Sequence, residues 1–584
     1  MNDRQLIVVV VFGVLCLVAF VYWPSTHGVF IWDDTSSIHD AGWLRGDIWK
    51  EAVFRGFNGW INYFRPLIVL LFVFETRAFD VMPGPMHAVS VAIHLSDTLL
   101  VGLLAWRIAI RRNVAWHPVL LIVLPMMFYG LHPALIEPVD WVGCQFELAV
   151  VFFILLALLA NVSIESVPRR ALAVGLCFLL AAGFKEAAAA LPPLLVLFDL
   201  ALAGETNWPA LWRVTWRRQH FVYAAVLAAG IAYLAVRIWG LGYAVMPSGT
   251  ESLLSFTRLQ RVSLTYLSYW KLIIWPMTSI GLIHGVDEKQ FAVVTLRSLG
   301  TDVAAALLAL GGLYAFGKRW LIGFAILGTS VALLPVLNII PIGFNEGLYH
   351  DRYATTAIAI ASALLPSLFA PLIARSHAVR VTAPLVALVW FGFAIADIRV
   401  TVPLWNDELA LWQWAARQEP DAVTPKEHLL STYIGRNDHA RGRELADWLV
   451  ANHPECVNCM LNAANLAVAD HDPARAALAL GKVKDRNLLA YNKGMLEGYV
   501  FANGELSELQ GDLSGAEEAY RDAITLDPAS PVARFTLALL LVKTGRAGEG
   551  KATADAALSL FAPDERELRR VQLAQALAQA GASR

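Results

Sequence analysis

The hydrophobic pattern changes character near residue 400. Before that point apolar residues come in long, nearly unbroken runs; after it they recur at helical spacing among charged residues. Lipid offers the backbone no hydrogen-bond partner, so a spanning helix needs about 20 mostly apolar residues. The first run, Leu6 to Tyr22, has a weak basic flank (Arg4) and no small-residue cleavage site after it, which predicts a retained first span. Further runs cover 85–106, 115–131, 146–162, 171–184, 187–203, 220–240, 300–317, 320–340, 354–374 and 381–398. The pattern predicts an all-α chain whose first domain, residues 1–400, is a polytopic transmembrane bundle of about 11 spans.

Two apolar stretches do not fit the series. Leu259–Leu282 carries Arg261, Lys271 and Pro276, and reads as an interfacial helix with Tyr266, Tyr269, Trp270 and Trp275 at headgroup level. Leu67–Phe79 is too short to span and gets the same reading. The basic residues then orient the bundle. Arg107, Arg111 and Arg112, Arg169 and Arg170, Arg213, Arg217 and Arg218, Lys318 and Arg319, and Arg375 and Arg380 fall on every second connection. Those connections and the N-terminus are expected in the cytoplasm. Segments 24–65, 131–146, 241–299 and 341–353, and the tail, are then expected outside, in a bacterial periplasm.

Residues 401–584 repeat themselves. Gly511, Ala523 and Leu526 recur as Gly545, Ala557 and Leu560, and Asp438 and Ala440 as Asp472 and Ala474, each 34 residues on. That period, with Gly511–Pro528 reading GDLSGAEEAYRDAITLDP, resembles a tetratricopeptide repeat. The second domain is expected to be an α-solenoid of about five such units, a surface suited to extended peptides or helices of a protein partner.

Composition sharpens the division. Hydrophobic residues make up 57% of the 584 and charged ones 16%, well away from a soluble average of about 25% charged. Charged residues number 44 in 401–584 and 50 in the first 400. A net charge of −2 provides no basic field for nucleic acid, and five cysteines exclude a disulfide scaffold. Cys456 and Cys459 lack the ligands of a zinc site, so a local disulfide is preferred over free thiols. Asn161-Val162-Ser163 is a sequon only formally, on the side expected to be cytoplasmic.

The bundle's remaining charges gather at its outward ends. Asp33 and Asp34 follow the first span by a few residues, beside Trp32. A carboxylate pair in a partly desolvated place raises one pKa, which suits a general base. Arg65 precedes Pro66, His87 and His94 lie seven apart, and His132 and Glu137 occupy the second outer loop. Lys185 and Glu186 end the fifth span, Arg237 the seventh, and Asp351-Arg352-Tyr353 closes the fourth outer loop. Lipid-facing charge is costly, so an outward polar cavity is the physical expectation. Solvated loop acids, interfacial anchors and a structural Lys185–Glu186 pair are the plainer alternatives.

These pieces, in this order, resemble the GT-C class of membrane glycosyltransferases. The likeness is greatest to the transmembrane and tetratricopeptide-repeat-containing O-mannosyltransferases and their bacterial relatives. It rests on WDD (Trp32–Asp34), YFRPL (Tyr63–Leu67), His87/His94, HPALIEPVDW (His132–Trp141), FKE (Phe184–Glu186) and YWKLIIWP (Tyr269–Pro276). LLPVLNIIPIG (Leu333–Gly343), DRY (Asp351–Tyr353) and WNDELALW (Trp405–Trp412) continue it to the repeats. The family usually has Arg where Gln145 stands and Glu where Asp351 stands, so the sugar is not implied.

The resemblance implies an inverting transfer of a sugar from a polyprenyl-phosphate carrier to a hydroxyl acceptor, at the outer face of the membrane. Asp33 is then the expected base, with Asp34 orienting it or the acceptor. Trp32, Arg65, His132 and Glu137 are expected to contact acceptor or sugar. Lys185, Arg237 and Arg352, with Tyr353, are expected to hold the lipid phosphate. A divalent cation at Asp33 or Asp34 ranks below metal-free chemistry. The alternatives are a glycan or lipid acceptor for the same enzyme, and a non-catalytic scaffold or transporter presenting repeats.

Overall fold

The computed structural model describes residues 3–55, 63–203, 207–244, 255–286, 291, 293–339, 347–483, 489 and 492–582. Every regular element among the described residues is helical. The chain divides into two compact units, Met1–Val29 with Pro83–Asn406, and Phe30–Met82 with Asp407–Arg584.

The first unit is the apolar bundle. Among the described residues eight of its helices are long and apolar enough to cross a membrane: Asp3–His27, Pro83–Arg111, Val142–Ser163, Val167–Phe184, Trp208–Leu241, Leu296–Gly317, Asp351–Arg375 and His377–Asn406. Pro118–Gly130 and Pro133–Asp140, bent by 60°, make a ninth if counted as one span. The break follows from Pro133, which supplies no N–H, and from His132, whose ring accepts the Ala134 N–H. Two of the eleven expected spans are shorter than a bilayer. The run 187–203 forms a 3₁₀ turn and the helix Leu191–Leu202, 12 residues or about 18 Å. In the run 320–340 the described residues form the helix Leu321–Val336, whose end Pro335 turns to 3₁₀.

Val142–Ser163 is the axis of this unit, 78% buried over its apolar window, and Leu148, Ile154, Leu155 and Leu158 are wholly enclosed. Trp208–Leu241 and Leu296–Gly317 are 17% buried and present Leu227, Ile231, Trp239, Leu307 and Leu310 outward. Helices this apolar and this exposed suit hydrocarbon rather than water. Phe256–Ile274 is an amphipathic helix outside the set of candidate spans, but Tyr266 and Tyr269, expected at headgroup level, are buried in the core of the bundle, because the helix packs its apolar face there.

The second unit holds the repeats. Among the described residues four helical hairpins follow one another: Thr424–Gly435 with His439–Asn452, Val457–Ala469 with Pro473–Lys482, Lys493–Leu509 with Leu513–Leu526, and Pro531–Lys543 with Ala547–Leu558. Each turn places one residue in the left-handed region: Asn437 (φ 56°), His471 (56°), Gly511 (86°) and Gly545 (86°). In the first three hairpins the next residue is an Asp whose carboxylate accepts the N–H three residues on, capping the second helix. Single helices Glu408–Gln418 and Pro563–Ala582 flank the hairpins and take up the length a fifth unit was expected to use. Cys456 and Cys459 are joined in a disulfide.

Segment Phe30–Met82 packs on this array. A Cβ at Gly42 would stand 2.2 Å from the Ala529 carbonyl oxygen, so only glycine permits that approach. Arg45 Nε donates to the Leu560 carbonyl at 2.7 Å, and His39 Nε2 lies 3.0 Å from Asp564. Helix Pro66–Phe79, 14 residues long, belongs to the same unit.

Candidate functional site

Within the bundle unit, charge collects around one tyrosine. Lys185 Nζ lies 4.3 Å from the Tyr353 ring centre and the Arg352 guanidinium 4.7 Å from it. Arg352 pairs with Glu137, whose second oxygen accepts the Arg352 backbone N–H at 2.9 Å. Lys185 pairs with Glu147, and Arg237 with Glu186 at 3.0 Å. Asp351 accepts from His284 at 2.8 Å and from the Gly281 N–H at 3.0 Å. His284 is stacked on Tyr349 at 3.9 Å, and Arg352 lies over Trp141 at 5.1 Å.

The local sequence explains how these groups arrive. Lys185 stands where helix Val167–Phe184 gives way to extended backbone, so its side chain leaves the helix end. Glu147 lies in the first turn of Gln145–Ser163, where the helix dipole favours a carboxylate. Asp351 and Arg352 sit on the 3₁₀ turn that opens Thr355–Arg375. Glu137, Lys185 and Arg352 are all less than a tenth exposed. Buried charge survives only when paired, and here each cation faces a carboxylate.

Of the residues expected from the sequence, Glu137, Lys185, Arg352 and Tyr353 come together, and Arg237 joins through Glu186. His132 is wholly buried; Nε2 meets the Ile273 carbonyl at 3.0 Å and Nδ1 the Ala134 N–H. Both ring nitrogens are therefore engaged by backbone. His94 bonds the Gly130 carbonyl at 3.1 Å and His87 the Val29 carbonyl at 3.4 Å. Gln145 donates to Met86, and the sequon residue Asn161 is buried and donates to Asp199.

Trp32, Asp33, Asp34 and Arg65 belong to the other unit. Asp33 is exposed, whereas Asp34 is wholly buried. They open a short helical segment whose Thr35–His39 part is π-helical. Trp32 is 7% exposed, edge-on to Trp412 at 5.4 Å and to His428 at 5.9 Å. Arg65 is buried with its guanidinium 4.2 Å from the Tyr63 ring; Asn62, the residue before YFRPL, lies outside the described residues. Gly343, which ends LLPVLNIIPIG, does too.

Residues 509–574 match the tetratricopeptide repeat family. The matched stretch takes in helix Leu513–Leu526, the last hairpin and the first part of Pro563–Ala582, and it holds Gly511 and Gly545, which recur at 34 residues with the same φ. Tetratricopeptide repeats generally mediate protein–protein contact, so a protein partner fits this unit. Neither a curated protein nor a solved structure matches the chain.

A cation at the acid pair does not fit the groups present. Asp33 and Asp34 differ in exposure, and neither enters a cluster of three ligand atoms among the described residues. The group that qualifies is Glu427, Cys456 and Cys459, whose sulfurs are bonded to each other. Sequence reasoning missed Glu147, His284 and Tyr349. Glu147 had a signal, as a lone acid at the head of an apolar run; His284 and Tyr349 had none, because they are brought in from separate loops.

Proposed function

We propose that the chain is an inverting membrane glycosyltransferase of the GT-C type. It moves a sugar from a polyprenyl-phosphate carrier to a hydroxyl acceptor, on a protein, at the outer face of a bacterial inner membrane. The observation that carries the reading is the buried cluster of Glu137, Glu147, Lys185 and Arg352 around Tyr353, inside a unit otherwise poor in charge. Ionisable groups at membrane depth are retained where they have chemistry to perform.

In this reading the departing lipid phosphate is met by Lys185 as a point charge and by the planar Arg352, with Arg237 behind them. Glu137 and Glu147 hold the two cations while the donor is away. Asp33 takes the acceptor proton as the sugar leaves the phosphate, so that the negative charge lost from the acid builds on the leaving group. The exposure of Asp33 supports this assignment, since a base must be reached by its acceptor. The repeats bring the acceptor protein.

The test is to replace Asp33, Asp34 and Arg352 singly by Asn, Asn and Gln in a strain that depends on this copy, and to profile its envelope glycoproteins and glycans. Loss of a modification in each variant, with normal insertion, is expected. Unchanged profiles in all three would overturn the enzymatic reading.

A further inference from the structure

Asp33 directly follows a residue in an unusual backbone state. Trp32 has φ of +56°, a region that a bulky L-residue enters only under constraint. Asn or Gly takes that state cheaply, and the four repeat turns mostly use them; a tryptophan does not. Such strain persists where surrounding groups over-determine it.

The surrounding groups come from the first helices of the repeat unit. Trp412, wholly buried on Glu408–Gln418, is stacked on His428 of Thr424–Gly435 at 4.0 Å and 11°. The Trp32 ring stands nearly perpendicular to both, at 83° and 74°. The Glu408 carboxylate faces the Trp412 side chain and the Trp32 backbone. A left-handed residue immediately before Asp33 fixes the direction in which the next helical turn starts, and so the direction of both acids.

We propose that Trp412, His428 and Glu408 form a clamp that holds Trp32 left-handed and thereby aims Asp33 and Asp34. They are positioning residues, through which the first repeat helices govern the acid pair. The clamp's link to activity rests on the transferase reading above; its effect on the backbone does not. It also changes the reading of Trp32, which serves as the clamped side chain in place of a sugar platform.

The test is hydrogen exchange of the full-length protein in lipid nanodiscs, followed over residues 31–40. Trp412→Ala is expected to speed exchange there by about tenfold, the size of releasing one left-handed non-glycine residue, with Pro531–Lys543 unaffected. Trp32→Ala and Trp32→Gly both remove the ring, but only glycine adopts positive φ freely. Exchange in Trp32→Ala should match Trp412→Ala, and Trp32→Gly should stay slower, alone or combined with Trp412→Ala. Equal exchange in the Ala and Gly variants, or no response to Trp412→Ala, overturns the clamp. If Trp412→Ala also frees Thr424–Gly435, the comparison of Trp32→Ala with Trp32→Gly decides. Envelope glycans should fall in Trp412→Ala and return in the Trp412→Ala/Trp32→Gly pair. Glycans that ignore Asp33→Asn and Asp34→Asn defeat the transferase reading while the exchange result still judges the clamp.

Discussion

His39 joins points 525 residues apart, with Nδ1 on Asp40 at 2.6 Å and Nε2 on Asp564 at 3.0 Å. The Asp40 hydrogen bond leads the effects that lift its pKa from 6.5 to about 9, against the opposing influence of burial. A histidine raised on folding stabilises fully below its unfolded pKa and loses that contribution as pH rises through the folded value. The repeat unit should therefore melt lower at pH 9.5 than at pH 6.5, and His39→Gln should flatten that difference in thermal scans. Glu505 gives a second, distinct pH signal. Burial first, then the neighbouring Glu508, pushes it up to about 7. An acid raised on folding opposes stability increasingly as pH climbs from about 4.5 through 7. Glu505→Gln should raise the melting temperature at pH 8 and change little at pH 5. In the bundle, Glu137→Gln leaves Arg352 buried with its main carboxylate gone, a loss of roughly 3–5 kcal/mol. Replacing both should cost less, which unfolding in graded detergent mixtures can measure. Glu137 and Arg352 were each visible in the sequence as charges at outward ends. Their pairing across 215 positions was not, because nothing local to either residue names the other.

At the scale of elements, the repeat turns were the most legible part of the chain. A residue that must adopt positive φ, followed by a helix-capping Asp, leaves a recurring mark in sequence. Gly511 and Gly545 both lie at φ 86° with open space around the Cβ position, so strain alone opposes a side chain there. Gly511→Ala and Gly545→Ala should each destabilise the repeats by about 1 kcal/mol in urea titrations. The apolar runs were legible as helices but less so as spans. Runs 187–203 and 320–340 have the composition of a span without its length, since prolines at their ends convert part of each to 3₁₀ turns. Hydropathy sums over a window and does not register where the hydrogen-bond ladder breaks.

For the whole molecule, the repeat unit is discontinuous in sequence. Its first part, Phe30–Met82, interrupts the bundle, and its second part begins at Asp407. Removing residues 405–584 therefore takes away the surfaces that Trp32, Gly42 and Arg45 pack on, and a lost glycan in that deletion does not by itself assign acceptor choice to the repeats. Gly42→Ala is the gentler probe. The added methyl meets the Ala529 carbonyl at 2.2 Å, and overpacking of this kind costs about 1–3 kcal/mol. Faster proteolysis around residues 30–55, with the later hairpins intact, is the expected readout. Residues 407–584 expressed without the first segment should likewise melt lower than the same residues in the full chain.

The sequence by itself determined the helices, the change of hydrophobic pattern near residue 400 and the 34-residue period. Those properties depend on local composition and spacing, which a chain carries wherever it folds. The tertiary structure alone decided that the first loop and the repeats form one compact unit, that Lys185 and Arg352 share Tyr353, and that a tryptophan is held left-handed beside Asp33. Contacts between segments hundreds of residues apart follow from how apolar surfaces are jointly buried and how buried charges find partners, and neither is written at any single position.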